Sequence, residues 1–242
     1  MTTLKINNKP VTILLILFLT FFFISLNSRR RFHHIIYFKN TPYELNVYKI
    51  IGRNPGKKML IIGGIHNEPG GYLTADHYVD MKLERGTLIV VPRANFHTII
   101  ADKRGINGDM NRKFTSQRIS EDYDSQIVEI LKRLMAEADI LLNLHEGSGF
   151  YRNKYISKSK NPMRFGQSII ADTDTFYKDD SSEILNLKEI AEEVIRNVNR
   201  KISKKEYYFH FNNHNTFSPN TKHPEQRKSA TFFALSHFQN SG

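Results

Sequence analysis

Apolar residues gather along the chain in short unbroken runs separated by longer stretches of helical spacing. Residues 43–52, "YELNVYKIIG", alternate in the manner of an early, partly exposed strand, and "NPGKK" after them predicts a turn. "MLIIGG" (residues 59–64) and "GTLIVVPRANF" (86–96) are continuous apolar runs of the kind buried on both faces of a sheet. Between them, residues 72–83 predict a helix. Residues 121–138 carry Ile127, Ile130, Leu131 and Leu134 at helical spacing, with acids in the first turn. "ADILLNLHEG" (138–147) is a third buried strand, and "QSIIAD" (167–172) is a fourth apolar run, after a basic loop. Residues 181–202 form a long amphipathic helix, and the apolar stretch 230–238 predicts a terminal helix packed on the sheet. Strands alternating with helices imply an α/β fold with a mostly parallel, mixed sheet covered by helices on both faces.

The extreme N-terminus departs from this pattern. Lys5 and Lys9 precede residues 11–26, sixteen residues without a charge, and Arg29–Arg31 follow. The run matches a signal-peptide core or a short membrane anchor, since a full span needs about 20 residues. The expectation is an exported chain: residues 1–31 a signal peptide or inner-membrane anchor, residues 32–242 one domain in the periplasm. An apolar fraction of 40% over 242 residues suffices for such a core. The absence of cysteine excludes disulfides, thiolate metal sites and a cysteine nucleophile, so a metal must be held by His, Asp or Glu. A formal charge of +11 favours an anionic partner. The basic residues are scattered, and no nucleic-acid-binding signature accompanies them, so no nucleic acid is expected as partner.

Two of the buried strands stop in the same way. The first ends in His66 and Glu68, the third in His145, and glycines surround both ends. Ligands of open α/β sheets bind at the carboxyl ends of the strands. Two such endings make a metal site as plausible as a pair of polar turns.

Five segments, "GGIHNEPGG", "VPRANF", "RGINGDMNRKF", "LLNLHEGSGFYR" and "HPEQRKSATFFAL", occur in an order that resembles the zinc carboxypeptidases. The likeness is nearest to the peptidoglycan-trimming DL-carboxypeptidases that set cell shape in helical epsilonproteobacteria, and it covers residues 43–235. The resemblance implies a Zn2+ cofactor held by His66, Glu68 and His145, with a fourth position left for water. It implies carboxylate binding by Arg104, Asn111 and Arg112, and catalytic roles for Glu225 as general base and Arg104 facing the developing oxyanion. The implied reaction trims the stem tripeptide of muropeptides to a dipeptide by releasing terminal diaminopimelate. The bond cleaved joins the γ-carboxyl of D-glutamate to an L-centre.

The chain departs from the family pattern in two places. The family separates its first ligand from the glutamate by two residues, whereas "HNE" has one. Counting back from "EPGG" puts the first ligand on Ile65, while counting forward from the glycines keeps it on His66. The relatives also continue into small β-rich domains that this sequence does not include. Two other readings of the same residues are a zinc deacylase of small N-acyl amino acids, like the aspartoacylase group, and a degenerate wall-binding relative that has lost zinc.

Overall fold

The computed structural model describes residues 16, 18, 31–115, 121–147, 167–177 and 184–238. The expected leader therefore lies outside the described residues, apart from Ile16 and Phe18. Among the described residues no helix is long and apolar enough to cross a membrane.

A five-stranded sheet forms the centre, built from β1 (Phe32–Tyr37), β2 (Leu45–Ile51), β3 (Asn54–Ile62), β4 (Arg85–Val91) and β5 (Ile140–Asn143), in the order β1-β2-β4-β3-β5. β4, β3 and β5 run parallel, while β1 and β2 are antiparallel to their neighbours. The mixed α/β fold expected from the alternation of runs is the one observed. Its three parallel strands end at one edge, and that edge carries both His-bearing turns.

Strand pleating splits the core into two layers. Leu60, Ile62, Ile89 and Val91 point to one face, where α3 (Tyr123–Ala136) contributes Ile127, Ile130, Leu131 and Leu134 and α5 (Ala230–Phe238) contributes Ala230 and Ala234. Ile61, Leu88 and Val90 point to the other, against Ala75, Tyr78 and Val79 of α1 (Pro69–Val79). Helices therefore cover both faces, as the unbroken apolar runs require. A short α2 (Phe96–Ile100) follows β4, capped by Asn95, and α3 is capped by Asp122, whose carboxylate accepts from Ser125 N at 2.8 Å.

Three expectations are corrected, and the fourth run finds its place outside the central sheet. "NPGKK" is no turn: β3 begins at Asn54, which pairs with Arg85, and the register shifts before Lys58. Irregular pairing lets the sheet accept a proline and a glycine there. α1 starts at Pro69, earlier than 72, because proline fits the first turn, where its missing N–H has no helical partner. The run 167–172 supplies β6 (Ser168–Ala171), which pairs in parallel with β9 (His210–Asn213) outside the central sheet. Residues 181–202 do not form one helix. β7 (Thr175–Tyr177) pairs with β8 (Ile184–Asn186), and only then does α4 (Leu187–Asn199) begin, capped by the Asn186 side chain on Glu189 N.

Candidate metal centre

The apolar run of β3 ends at Gly63–Gly64, where Gly63 N bonds to Val91 O and Ala94 and Asn95 donate back to Gly63 and Gly64. Gly64 takes φ +65°, a left-handed conformation open to glycine, and it turns the chain out of the sheet. Ile65 is fully buried in the core. His66 is therefore the first residue able to face the strand edge. The single residue between His66 and Glu68 is taken up by a three-residue turn, in which Glu68 N donates to His66 O at 2.9 Å. Both side chains leave the turn on one side, so the shortened loop still presents a histidine and a carboxylate together.

The third member comes from the neighbouring strand. Leu144 N bonds to Ile62 O at 2.7 Å, extending the β3–β5 ladder one step, and His145 follows. His145 Nδ1 donates to Glu68 Oε2 at 2.7 Å, and His66 Nδ1 lies 3.1 Å from Glu68 Oε1. One donor atom from each of His66, Glu68 and His145 lies within 4.8 Å of the others. Close backbone approach makes this possible. A Cβ on Gly71, in the first turn of α1, would sit 2.7 Å from Leu144 O.

The far nitrogens of both rings are also held. Asp109 Oδ1 accepts from His66 Nε2 at 2.7 Å and from Asn111 N at 2.9 Å. A carboxylate behind a histidine fixes its tautomer, so when the ring gives up the Nδ1 proton it shares with Glu68, as metal ligation requires, the remaining proton stays on Nε2 and the lone pair lies on Nδ1. His145 Nε2 meets Asn143 Nδ2 at 3.0 Å, while Asn143 Oδ1 is buried with no partner. Turning that amide over would let Oδ1 accept from Nε2–H, so that the Nδ1 lone pair of His145 could serve a metal in place of the Nδ1–H bond to Glu68. Both rings thus have a partner suited to metal ligation, and two imidazoles with one carboxylate form a donor set that fits zinc.

Charge keeps the cluster compact. Burial alone would raise the Glu68 pKa, but hydrogen bonds from His145 and His66 outweigh it and hold the carboxyl well below its usual range. Burial opposes the charge on Asp109 too, and the His66 hydrogen bond with the Arg104 and Arg112 charges overcomes it. Burial would lower the His66 pKa, yet Asp109 and Glu68 together raise it above the ordinary value. Arg104 spans the two acids, with Nη1 3.0 Å from Glu68 Oε1 and Nη2 3.4 Å from Asp109 Oδ2. Its side chain is 62% exposed, so further donors of the guanidinium face solvent.

The remaining predicted residues lie on the segment that leaves Asp109. Asn111 is buried, and its Oδ1 accepts from Ala230 N at 3.0 Å. Arg112 donates to Asn111 O at 2.9 Å, and Phe114 N bonds to Lys228 O at 3.1 Å. These bonds bring the Asp109–Phe114 segment against the turn Pro224–Lys228, which carries Glu225. Glu225 is half exposed, its Oε1 3.8 Å from His223 Nδ1. The His223 ring stacks on His214 at 4.2 Å between centroids. Burial, and then the His223 and Arg112 charges, push the His214 pKa down to about 4 against the opposing charge of Glu225. Residues 148–152 of the "LLNLHEGSGFYR" motif lie outside the described residues.

The structure thus brings His66, Glu68, His145 and Arg104 into one cluster, and Asn111, Arg112 and Glu225 onto two adjoining turns. Reading the sequence did not assign roles to Asp109, Asn143, His214 or His223. Asp109 had a signal, an acid two residues before Asn111. The other three become recognisable only once the rings they face are in place.

A family described as the catalytic region of carboxypeptidases controlling helical cell shape matches residues 18–241 of the chain. No curated protein matches it. Among solved structures, tripeptide-bound cell shape determinant Csd4 of Helicobacter pylori is similar, with a TM-score of 0.69 and 27% identity over 81% of this chain and 48% of that one. The form of Csd4 bound to mDAP, described as a D,L-carboxypeptidase, has a TM-score of 0.64 and 30% identity over 74% of this chain and 42% of that chain. A glutamine-to-histidine variant of Csd4 gives a TM-score of 0.65 and 30% identity over 76% and 43%. The chain therefore spans about half the length of these relatives.

Proposed function

The chain belongs to the family of carboxypeptidases controlling helical cell shape, and from that premise we propose that it is a zinc carboxypeptidase that releases the terminal diaminopimelate from the peptidoglycan stem tripeptide. The observation that carries the proposal is the convergence of His66, Glu68 and His145, each ring backed by a hydrogen-bonding side chain, beside the Asn111–Arg112 and Glu225 turns. Csd4 with bound tripeptide and with bound mDAP supports the choice of substrate.

His66, Glu68 and His145 would hold zinc, which when bound lowers the pKa of water and polarises a carbonyl. Arg112 and the amide donors of Asn111 bind the terminal carboxylate of the tripeptide. Asn111 is suited to this because its oxygen is already committed to Ala230 N, which fixes the orientation of its NH2. Arg104 turns its solvent-facing donors toward the scissile carbonyl oxygen, where negative charge develops. Glu225 takes a proton from the attacking water, whose oxygen bonds to the D-glutamate γ-carbonyl carbon. The carboxyl group then delivers that proton to the nitrogen of the departing diaminopimelate. One water is consumed and one amide bond is broken.

In this reading residues 1–31 deliver the catalytic domain, residues 32–242, to the periplasm, where the substrate lies. The uncharged run 11–26 between basic flanks supports export. The positive charge of the chain suits a substrate rich in carboxylates.

The test is mass spectrometry of purified muropeptide tripeptide after incubation with the zinc-supplemented protein, beside Glu225→Ala. Loss of diaminopimelate with the wild type alone is expected. An intact tripeptide with zinc bound would redirect the assignment to another N-acylated substrate. An intact tripeptide and no bound zinc would make the chain a wall-binding relative.

A further inference from the structure

Glu68 occupies the N-cap of α1, a position where a side chain ordinarily accepts a hydrogen bond from the first turn. Its carboxylate makes no such bond, because both oxygens are turned toward His66, His145 and Arg104. A different residue fills the role. Glu146 Oε2 accepts from Gly70 N at 2.6 Å, reaching across from the end of β5, and Glu146 N donates to Glu68 Oε2 at 3.2 Å. The two glutamates exchange places as in a capping box, but across 78 residues of chain. One of the two bonds steadies the carboxylate of Glu68 and the other ties the helix start to the strand that carries His145.

We infer that Glu146 is a positioning residue for the metal centre, a clamp that sets the spacing between the His66–Glu68 turn and His145; this rests on the zinc-binding reading above. Glu146 is not a ligand in this arrangement, since its carboxylate is committed to the backbone of α1. The clamp acts where the two segments already touch, next to the Gly71 contact with Leu144. Partners in this position behind metal ligands commonly change metal affinity by about 10–100-fold.

The test is zinc affinity of the full chain, measured by competition with a chromogenic chelator, for wild type and three variants. Glu146→Gln keeps an acceptor of the same reach and should retain wild-type affinity. Glu146→Asp keeps the charge but is one methylene too short, so it should bind about 10–100-fold more weakly, as should Glu146→Ala. Asn186→Ala removes the cap of α4, away from the centre, and should lower the melting temperature without changing zinc affinity. Weak binding by Gln with normal binding by Asp would show a charge effect and overturn the clamp. Equal affinity in all variants would overturn it too. A wild-type chain that binds no zinc would instead remove the zinc-binding reading, and this inference with it.

Discussion

Replacing Gly71 by alanine tests how finely the fold sets the distance between the two halves of the metal centre. The added Cβ would lie 2.7 Å from Leu144 O, where ordinary contact begins at 3.4 Å. The obstacle is backbone on both sides, so no side chain can swing away, and α1 must part from the end of β5 by about 0.7 Å. Glu68 moves with the helix start and His145 with the strand. Zinc–ligand distances hold to about 0.2 Å. The displacement therefore exceeds the tolerance of the site about threefold, while the cost of overpacking, about 1–3 kcal/mol, leaves the domain folded. Chelator competition should show zinc affinity falling at least ~10-fold, equivalent to about 1.4 kcal/mol. Gly86→Ala is the control, because its Cβ would run into Lys57 O at the opposite end of β3 and β4. It should lower the melting temperature and leave the affinity of the folded protein unchanged. A folded Gly71→Ala protein with wild-type zinc affinity would refute the reasoning.

Substitutions at three further positions have expected outcomes. Asp109→Ala should weaken zinc binding about 10–100-fold by freeing the His66 ring, with Asp109→Asn in between, as read by equilibrium dialysis; undiminished binding by the alanine variant would show that His66 needs no partner. Asn111→Ala strands the buried Ala230 N–H and should cost about 1–3 kcal/mol in chemical denaturation. Asn111→Asp keeps the acceptor, so it should fold like wild type yet raise KM by placing a negative charge where the substrate carboxylate binds; unchanged KM would remove Asn111 from the carboxylate site. The depressed pKa of His214 means that the unfolded chain takes up a proton near pH 6.5 that the folded chain refuses until about pH 4. Stability from this residue is therefore present above pH 6.5 and lost as pH falls toward 4. The melting temperature of His214→Phe, which keeps the stack on His223, should fall less over that window than that of wild type. Equal slopes would show that another group governs the acid limb.

Local pattern revealed the segments whose environment is uniform. Residues 60–62 of β3 and 88–91 of β4 are buried on both faces and read as unbroken apolar runs. α3 buries one face and shows it in the spacing of Ile127, Ile130, Leu131 and Leu134. Residues 54–58 misled because proline and glycine signal a turn locally, while tertiary pairing with Arg85 decided the matter. β8 was absorbed into a helix because Ile184 lies on the apolar stripe continued by Leu187 and Ala191. The candidate donors His66, Glu68 and His145, which the fold brings together, were legible because they stand at strand ends. Asn143 and Glu146 were not, since each is defined by a group distant in sequence or by a ring whose orientation only the fold supplies.

The turn at His66 and Glu68 and the strand end at His145 are separated by 77 residues, and their union has a kinetic meaning. Two donors lie on one tight turn and can meet a metal as soon as β3 is formed, but two donors bind weakly. The third arrives only when β5 has zipped onto β3, after α1, β4 and α3 have been threaded into place. Closing so long a loop is slow, and its entropic cost must be met by sheet pairing before any coordination bond can help. On the zinc-binding reading, tight zinc capture would be a late event that locks a finished sheet, reporting on completion of the fold rather than seeding it. A refolding experiment followed by both intrinsic tyrosine fluorescence and a zinc indicator should show the metal signal trailing the structural one.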